Sequence, residues 1–389
     1  MAGYVARRAV SSLIALFLFL TILFFVIEVM IPGDFTYQYL MTRGARQALQ
    51  SRLGLDLPLW QRYWYWLRTV FEGGLGRSLY GFPVADYLKT LIPPTLLVFV
   101  MGAGIAFLFG QWLGKVTAWR GPGLLHGTST AGAIALYASF PPWLAYLMTY
   151  FFARRLGWFR SVLSDAPFNT QRGVWVDSPL SPQAVMIYIV AVFVAALIAV
   201  WAVNKGLERA ARRRLPVWLD VLLYLLLLGA GWLGFGLGPQ VRDVLSLAAL
   251  PILTFILLSF GETMLIMRTS MTDTLKEEYI TTARAKGLPD PVIRDRHAAR
   301  NALLPVLSRL VVSLPYLMTG LVIIESALDW PGLSGALFDS LYNQDVPTAL
   351  GALLVVGVAS ALARLLLDVV AAYLDPRIRF ESAAPGEQR

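Results

Sequence analysis

EYITTARAKGLPDPVIRDRHAARNALLP, residues 278–305, holds one of the chain's two histidines and its densest mixture of charge, yet long apolar segments flank it on both sides. The surrounding chain of 389 residues is 57% hydrophobic and only 15% charged, well below the roughly one-quarter charge of a soluble domain. Apolar runs long enough to cross the ~30 Å hydrocarbon core of a bilayer fall at 9–30, 93–114, 127–151, 183–203, 217–237, 244–267, 303–325 and 347–374. The expected fold is an all-α, polytopic helical membrane protein of about eight spans. The first run follows the basic start MAGYVARRAV. It is long for a signal-peptide core and no A-x-A-like site follows it, so it reads as a retained span.

Eight crossings place both termini on one side. With the N-terminus inside, the inside connections hold 19 Lys and Arg and the outside ones 12, seven of the latter in the long 31–92 loop. Long loops weigh little in the positive-inside rule. Without that loop the comparison is 19 against 5, which predicts cytoplasmic termini and puts the quoted stretch in the largest inside loop, 268–302.

Composition narrows the chemistry. The net charge of +9 comes from arginines scattered between apolar runs, which fits basic loops at a membrane better than nucleic acid. With no cysteine, thiol catalysis, disulfides and Cys-ligated metals are excluded. Only His126 and His297 are present, without H-E-x-x-H, G-x-S-x-G or a carboxylate cluster, so neither a metal site nor a catalytic residue is expected. GQWLGKVT (110–117) resembles a phosphate loop but is one residue short between its glycines, and Val116 stands where Ser or Thr should be. No nucleotide site is expected.

Within 268–302, Met271–Lys286 suits one helix, with Asp273 near its start and Gly287 as a stop just beyond its end. Asp290 can cap a second helix with Pro291 in its first position, running through IRDRHAARNA until Pro305 marks entry into the next span. Ala283 and Ala285 beside Gly287 would let a partner's backbone approach closely. Charges of both signs interleave, unlike a polybasic lipid-binding segment. The loop therefore reads as a docking surface for another protein.

These residues carry a resemblance. Tyr279, Ile280, Thr282, Ala283, Arg284, Ala285, Lys286 and Gly287, followed by Arg296, His297, Ala298, Arg300, Asn301, Ala302, Leu303, Leu304 and Pro305, are similar in type and spacing to the EAA coupling loop of inner-membrane permease subunits of ABC importers. The dipeptide/oligopeptide/nickel branch fits best. Thr281 and Thr282 replace the general motif's glutamate and first alanine. YVARRAV, Pro32-Gly33-Asp34, LGLDLPLW (53–60), GLGRSLYGFPV (74–84), Glu325 with Pro331-Gly332-Leu333, and LDPRIRF (374–380) also resemble family segments, although Ser334 interrupts the usual Gly-Leu-Gly.

The resemblance implies a subunit of an ATP-driven importer in a prokaryotic inner membrane, with peptides the commonest cargo. This chain would bind no cofactor. A second permease, two cytoplasmic ATPase subunits carrying ATP-Mg, and an external substrate-binding protein would be its partners. Gly287 would provide the turn, Arg284, Lys286, Arg296 and Arg300 polar contacts with the ATPase or pairs within the loop, and His297 a hydrogen bond within it. The whole of 1–389 is read as one permease domain: first span 1–30, external subdomain 31–92, spans 93–151, an inserted two-span region 170–243, and core spans 244–374. The insertion matches no family segment. Lateral packing or lipid contact is its default role and contact with a partner subunit the alternative.

Other features remain. Gly102, Ala106, Gly110 and Gly114 form a small-residue stripe suited to close helix packing. LWQRYWYWLRTVF (59–71) puts Trp60, Tyr63, Trp64 and Leu67 on one helical face, for an interfacial helix or for packing within the subdomain. Charges inside a membrane are costly and need partners. Arg364 and Asp368, one turn apart, could pair. Glu28 and Glu325 sit at outer span ends within reach of water. Glu262 lies deeper and faces either the pathway or a neighbouring helix. A competing reading, an ion-driven secondary carrier, rests on Glu262 alone.

Overall fold

A computed structural model of the chain describes residues 2–30, 43–53, 56–162, 173–176, 178–211 and 215–374. Pro32-Gly33-Asp34 and the 375–380 part of the C-terminal segment lie outside the described residues, as do the side chains of Glu28 and Asp368. The Arg364–Asp368 pair is therefore also outside them. The described part is helical. In chain order come α1 (Ala2–Met30), α2 (Arg43–Leu53), α3 (Leu59–Phe71), α4 (Val84–Arg120), α5 (Leu124–Tyr137), α6 (Pro141–Met148, continued by a π-helical turn to Arg155), α7 (Pro182–Ala211) and α8 (Val217–Leu233). Then follow α9 (Gly238–Thr274), α10 (Glu278–Ala285), α11 (Asp290–Val292), α12 (Ala299–Ala327), α13 (Leu333–Tyr342) and α14 (Val346–Leu374). Five of these helices are long and apolar enough to cross a membrane, and a bent pair adds a sixth. The chain is an all-α, polytopic membrane protein.

The bent pair corrects the expectation of one run over 127–151. The chain turns by 108° between α5 and the α6 segment. Pro141 and Pro142 open α6, and Phe140 ahead of them is extended, because a residue before proline is pushed out of the helical region. The 217–237 run is also shorter than expected, α8 closing at Leu233 before Gly234.

The centre of the bundle is α4 against α9, and the small-residue stripe makes it possible. A Cβ on Gly110 would stand 2.7 Å from the Phe260 carbonyl oxygen, and one on Gly114 2.5 Å from that of Met264. Neither contact is physically possible, so the backbones of the two helices touch and these glycines are the reason. The packing role expected of Gly102, Ala106, Gly110 and Gly114 is the one observed.

The two helices of the 170–243 region differ. Val185, Met186, Ile189 and Phe193 of α7 are buried in the main core with α4 and α9. On α8 only Leu228 is fully buried among the described residues, and Trp218, Val221, Leu225 and Leu226 are exposed. α7 is thus an integral core helix, while α8 lies at the periphery.

On the far side, α3 splits its aromatic face. Tyr63 and Leu67 pack with Phe24 and Ile27 of α1 and Leu350 of α14, whereas Trp60 and Trp64 remain exposed. The segment before α4 is also tied to the start of α14. Buried Asp345 accepts hydrogen bonds from Ser78 Oγ (2.5 Å) and Thr348 Oγ1 (2.7 Å).

Candidate functional site

The charged loop is built on α9 and α12, the two long helices it joins. One helix over 271–286 was expected. Instead α9 ends at Thr274, a turn closes it with Leu275 N–H donating to the Met271 carbonyl, and α10 starts at Glu278. The break lets α10 fold back so that Ile280 and Ala283, three residues apart on one face, both turn inward. They are 0% and 6% exposed.

α10 ends in a complete Schellman closure. Gly287 N–H donates to the Arg284 carbonyl (2.9 Å) and Leu288 N–H to that of Ala283 (3.3 Å). Gly287 has φ +71°, a conformation that glycine adopts without a Cβ penalty. Leu288 and Ala283, the two ends of that closure, share one apolar cluster. Beyond it Pro289 is the extended residue before α11, and Asp290 lies inside the first turn without a side-chain cap. The capping expected of Asp290 is not made. Pro305 does not divide helix from span either. A π-helical turn, Ile293–Ala298, leads straight into α12, which passes through Pro305.

The inner face of the loop is apolar. Ile280, Ala283, Ile293, Ala298 and Ala302 pack with Met267 and Met271 of α9, with Phe107 and Trp119 of α4 alongside. Burying a residue such as Ile280 contributes roughly 1.5–3 kcal/mol. Ala283 therefore owes its small size to its own subunit, not to an external contact. Asp295 fastens the outer edge. Its carboxylate meets Arg294 at 2.6 Å and Lys115 of α4 at 2.8 Å. Burial works against charge at Asp295, but the hydrogen bonds from Arg294 and Lys115 outweigh it and hold the carboxyl below the usual carboxylate range. Asn301 Nδ2 donates to Tyr279 Oη at 2.8 Å, joining α10 to the start of α12.

What remains outside is the rest of the motif. Tyr279, Thr282, Arg284, Ala285, Lys286, Gly287, Arg296, Arg300 and Asn301 are exposed, and His297 is half-buried. Arg284, Lys286, Arg296 and Arg300 form no ion pair among the described residues. Four cations thus stand on a capped surface with no counterion among the described residues.

The expected intramembrane charges separate. Glu325 was placed at an outer end in reach of water, but it is 0% exposed. The chain doubles back after α12, so the carboxylate sits over the first turn of α13 and accepts the Ser334 N–H at 3.1 Å. Next to it Leu333 N–H donates to Thr95 Oγ1 at 2.8 Å. A helix N-terminus carries partial positive charge that favours an anion there. Glu262 of α9 is bound by Arg309 Nε and Ser313 Oγ of α12, each at 2.9 Å.

Lys115, Asp295 and Arg309 escaped the sequence reading. Arg309 had a visible signal, a lone arginine inside an apolar run. Lys115 had only its place at the inner end of α4, and nothing local pointed it towards a residue 180 positions away.

Comparison with known proteins identifies the architecture. Residues 166–380 match the model of the binding-protein-dependent transport system inner membrane component, and residues 1–81 match an N-terminal model of the same transport-system membrane components. A Brucella suis biovar 1 protein that carries a peptide permease name is 30% identical, covering 97% of this chain and 99% of the relative. The dipeptide transport system permease protein of Alkalihalophilus pseudofirmus is 27% identical and the glutathione transport system permease protein of Escherichia coli strain K12 is 26% identical. Each alignment covers 98% of this chain and 100% of the relative. The chain belongs to the family of inner membrane components of binding-protein-dependent transport systems, and it is a permease subunit of an ABC importer.

Proposed function

We propose that this permease carries peptides and that its 278–305 segment is the part that receives force from separate ATPase subunits. The peptide reading rests on the names of relatives aligned over nearly their whole length, which concern peptide, dipeptide and glutathione transport. The coupling reading rests on one observation: Arg284, Lys286, Arg296 and Arg300 have no ion pair among the described residues, on a segment whose other face is locked into α4, α9 and α12. A lever needs both properties. Its outer face must offer contacts to another chain, and its inner face must move with the spans instead of deforming.

In this scheme the chain forms half of the pathway with a second permease, and an external binding protein delivers substrate. The two partner ATPases would hold ATP-Mg, and their ATP-driven closure would displace the docked loop. The displacement tilts α9 and α12 in a hinge-and-shear rearrangement. The orientation is with both termini and the loop on the cytoplasmic side, as the Lys and Arg distribution supports. The arrangement is six family spans plus the two-span 170–243 insertion. Because α7 lies in the core and α8 at the edge, the insertion widens the bundle laterally, with α8 towards lipid.

Gly287→Arg tests the coupling. A Cβ at Gly287 has nothing within 4 Å, so the arginine projects outward from the proposed contact. The expected result is normal membrane insertion with loss of ATPase co-purification and of uptake. Gly287→Ala carries the same positive-φ strain, about 1 kcal/mol, without the bulk, and should retain both. Normal assembly and transport in Gly287→Arg would end the assignment.

A further inference from the structure

The charge pair between α9 and α12 has no part in the loop, and its exposure is unusual for its position. At about 1.5 Å per residue, Arg309 lies about 9 Å inside the loop-side end of the 303–325 run. Its side chain is 54% exposed while that of Glu262 is 20% exposed. An arginine facing hydrocarbon at such a depth is expensive, and one that escapes by snorkelling extends to the interface. Arg309 is tethered sideways to a neighbouring helix. Its Nε is held at 2.9 Å by Glu262 Oε1, which also accepts from Ser313 Oγ at 2.9 Å. The pair opens onto a cleft where three helices converge, lined by Ala103 and Phe107 of α4, Glu262 and Ile266 of α9, and Arg309 and Ser313 of α12. A face that keeps a guanidinium half-exposed within the membrane-spanning run must meet water or another polar surface.

We infer that this cleft lines the translocation pathway, and that Arg309, with Glu262 as its resting counterion, binds the C-terminal carboxylate of a peptide in transit. The inference rests on the peptide reading above. The chemistry favours Arg309 as the receiving group. A guanidinium has five donors in a planar fork that matches a carboxylate in two-point contact, and the Arg309 side chain is 54% exposed towards the cleft. Glu262 holds the cation in place between passages and competes with the substrate carboxylate for it. The contact is thereby kept weak enough for release, as conduction through any pathway requires.

The test uses the complete complex of permeases, ATPases and binding protein in vesicles, with ATP-driven uptake of a pool of di- and tripeptides read by mass spectrometry. Arg309→Gln should lower uptake by about tenfold or more, the loss of one charge-assisted contact. Arg309→Lys should restore much of it. The double variant Glu262→Gln/Arg309→Gln removes both charges and so leaves neither partner of the pair without its counterion. The station predicts that it remains as impaired as Arg309→Gln, while a purely structural pair predicts recovery, and recovery would overturn the inference. This chain has no cysteine, so labelling read on this chain alone in the Arg309→Cys complex reports on water at that position. The introduced thiol should react with a membrane-impermeant thiol reagent, more slowly during peptide transport, and an inert thiol would overturn the pathway assignment. If the unmodified complex imports no peptide, the peptide reading fails and the carboxylate station with it. Peptide import that is unchanged in Arg309→Gln would remove the station alone.

Discussion

Around Ala302 and Val306 the helix α12 is held by alkyl contacts with α9 and α10, whereas at Glu325 its other end is held by a buried carboxylate over the first turn of α13. The charges differ accordingly. At the first end Arg284, Lys286, Arg296 and Arg300 are turned outward with no ion pair among the described residues, and at the second a single carboxyl group is turned inward. Alkyl packing is non-directional and follows a moving neighbour, while a buried carboxyl group depends on a placed donor and tolerates little displacement. The loop end is suited to move with a docked motor and the Glu325 end to act as a fixed point.

The contrast is broken most severely at Gly332. A Cβ there would lie 2.3 Å from the Glu325 carboxyl group, so Gly332→Ala must displace that buried group from the Ser334 N–H. The expected loss is about 3 kcal/mol, measured as thermal unfolding in detergent. Gly335, one turn into α13, has nothing within 4 Å of a Cβ. Gly335→Ala should instead be neutral or stabilise by roughly 0.5–1 kcal/mol. Equal behaviour of the two variants would remove the case for a rigid anchor.

At the loop end the same comparison is sharpened by changing its two faces separately. Ile280→Ala empties a fully buried site and should cost about 2–4 kcal/mol. Arg284→Ala, on the exposed face, should leave stability within about 0.5 kcal/mol while lowering ATPase-coupled uptake. A lever predicts that the first variant fails in folding and the second only in coupling, and a loop whose faces cannot be separated in this way is not one.

Sequence patterns revealed the parts of this molecule that depend on short-range order. The Gly102–Gly114 stripe foretold a close helix contact, whose partner proved to be α9, because four-residue spacing alone puts small residues on one helix face. The turn at Gly287 was legible because a Schellman closure involves only neighbours. Contacts between distant segments were not legible. Glu325 looked exposed because nothing in its span shows that the chain folds back to set Ser334 N–H on it. Lys115, filed with a failed phosphate loop, belongs to Asp295. Within the loop, the helix drawn over 271–286 missed the break at 275–277, because every residue there tolerates a helix and only the burial of Ile280 requires the fold-back.

The smallest effect distinguishes how the loop's two fastenings respond to pH. Asp295 has a folded-state pKa below its unfolded one, since the hydrogen bonds from Arg294 and Lys115 outweigh the cost of burial. Such a group adds stability that is fully present above the unfolded carboxylate range and is lost as pH falls through the lower, folded value. Neutral and mildly acidic conditions should therefore leave the attachment of the loop to α4 unchanged, with weakening confined to the acid limb. A site about one-third exposed is screened by water, so the whole contribution stays below about 1 kcal/mol. Lys115→Met should flatten that acid limb by removing the partner from α4. The apolar fastening by Ile280 and Ile293 contains no titrating group and should give no pH dependence of its own. Hydrogen exchange across 290–298, compared in both proteins between neutral and acid pH, reads the difference. Protection that falls equally in both would place the acid sensitivity elsewhere and leave alkyl packing as the only clamp on the loop.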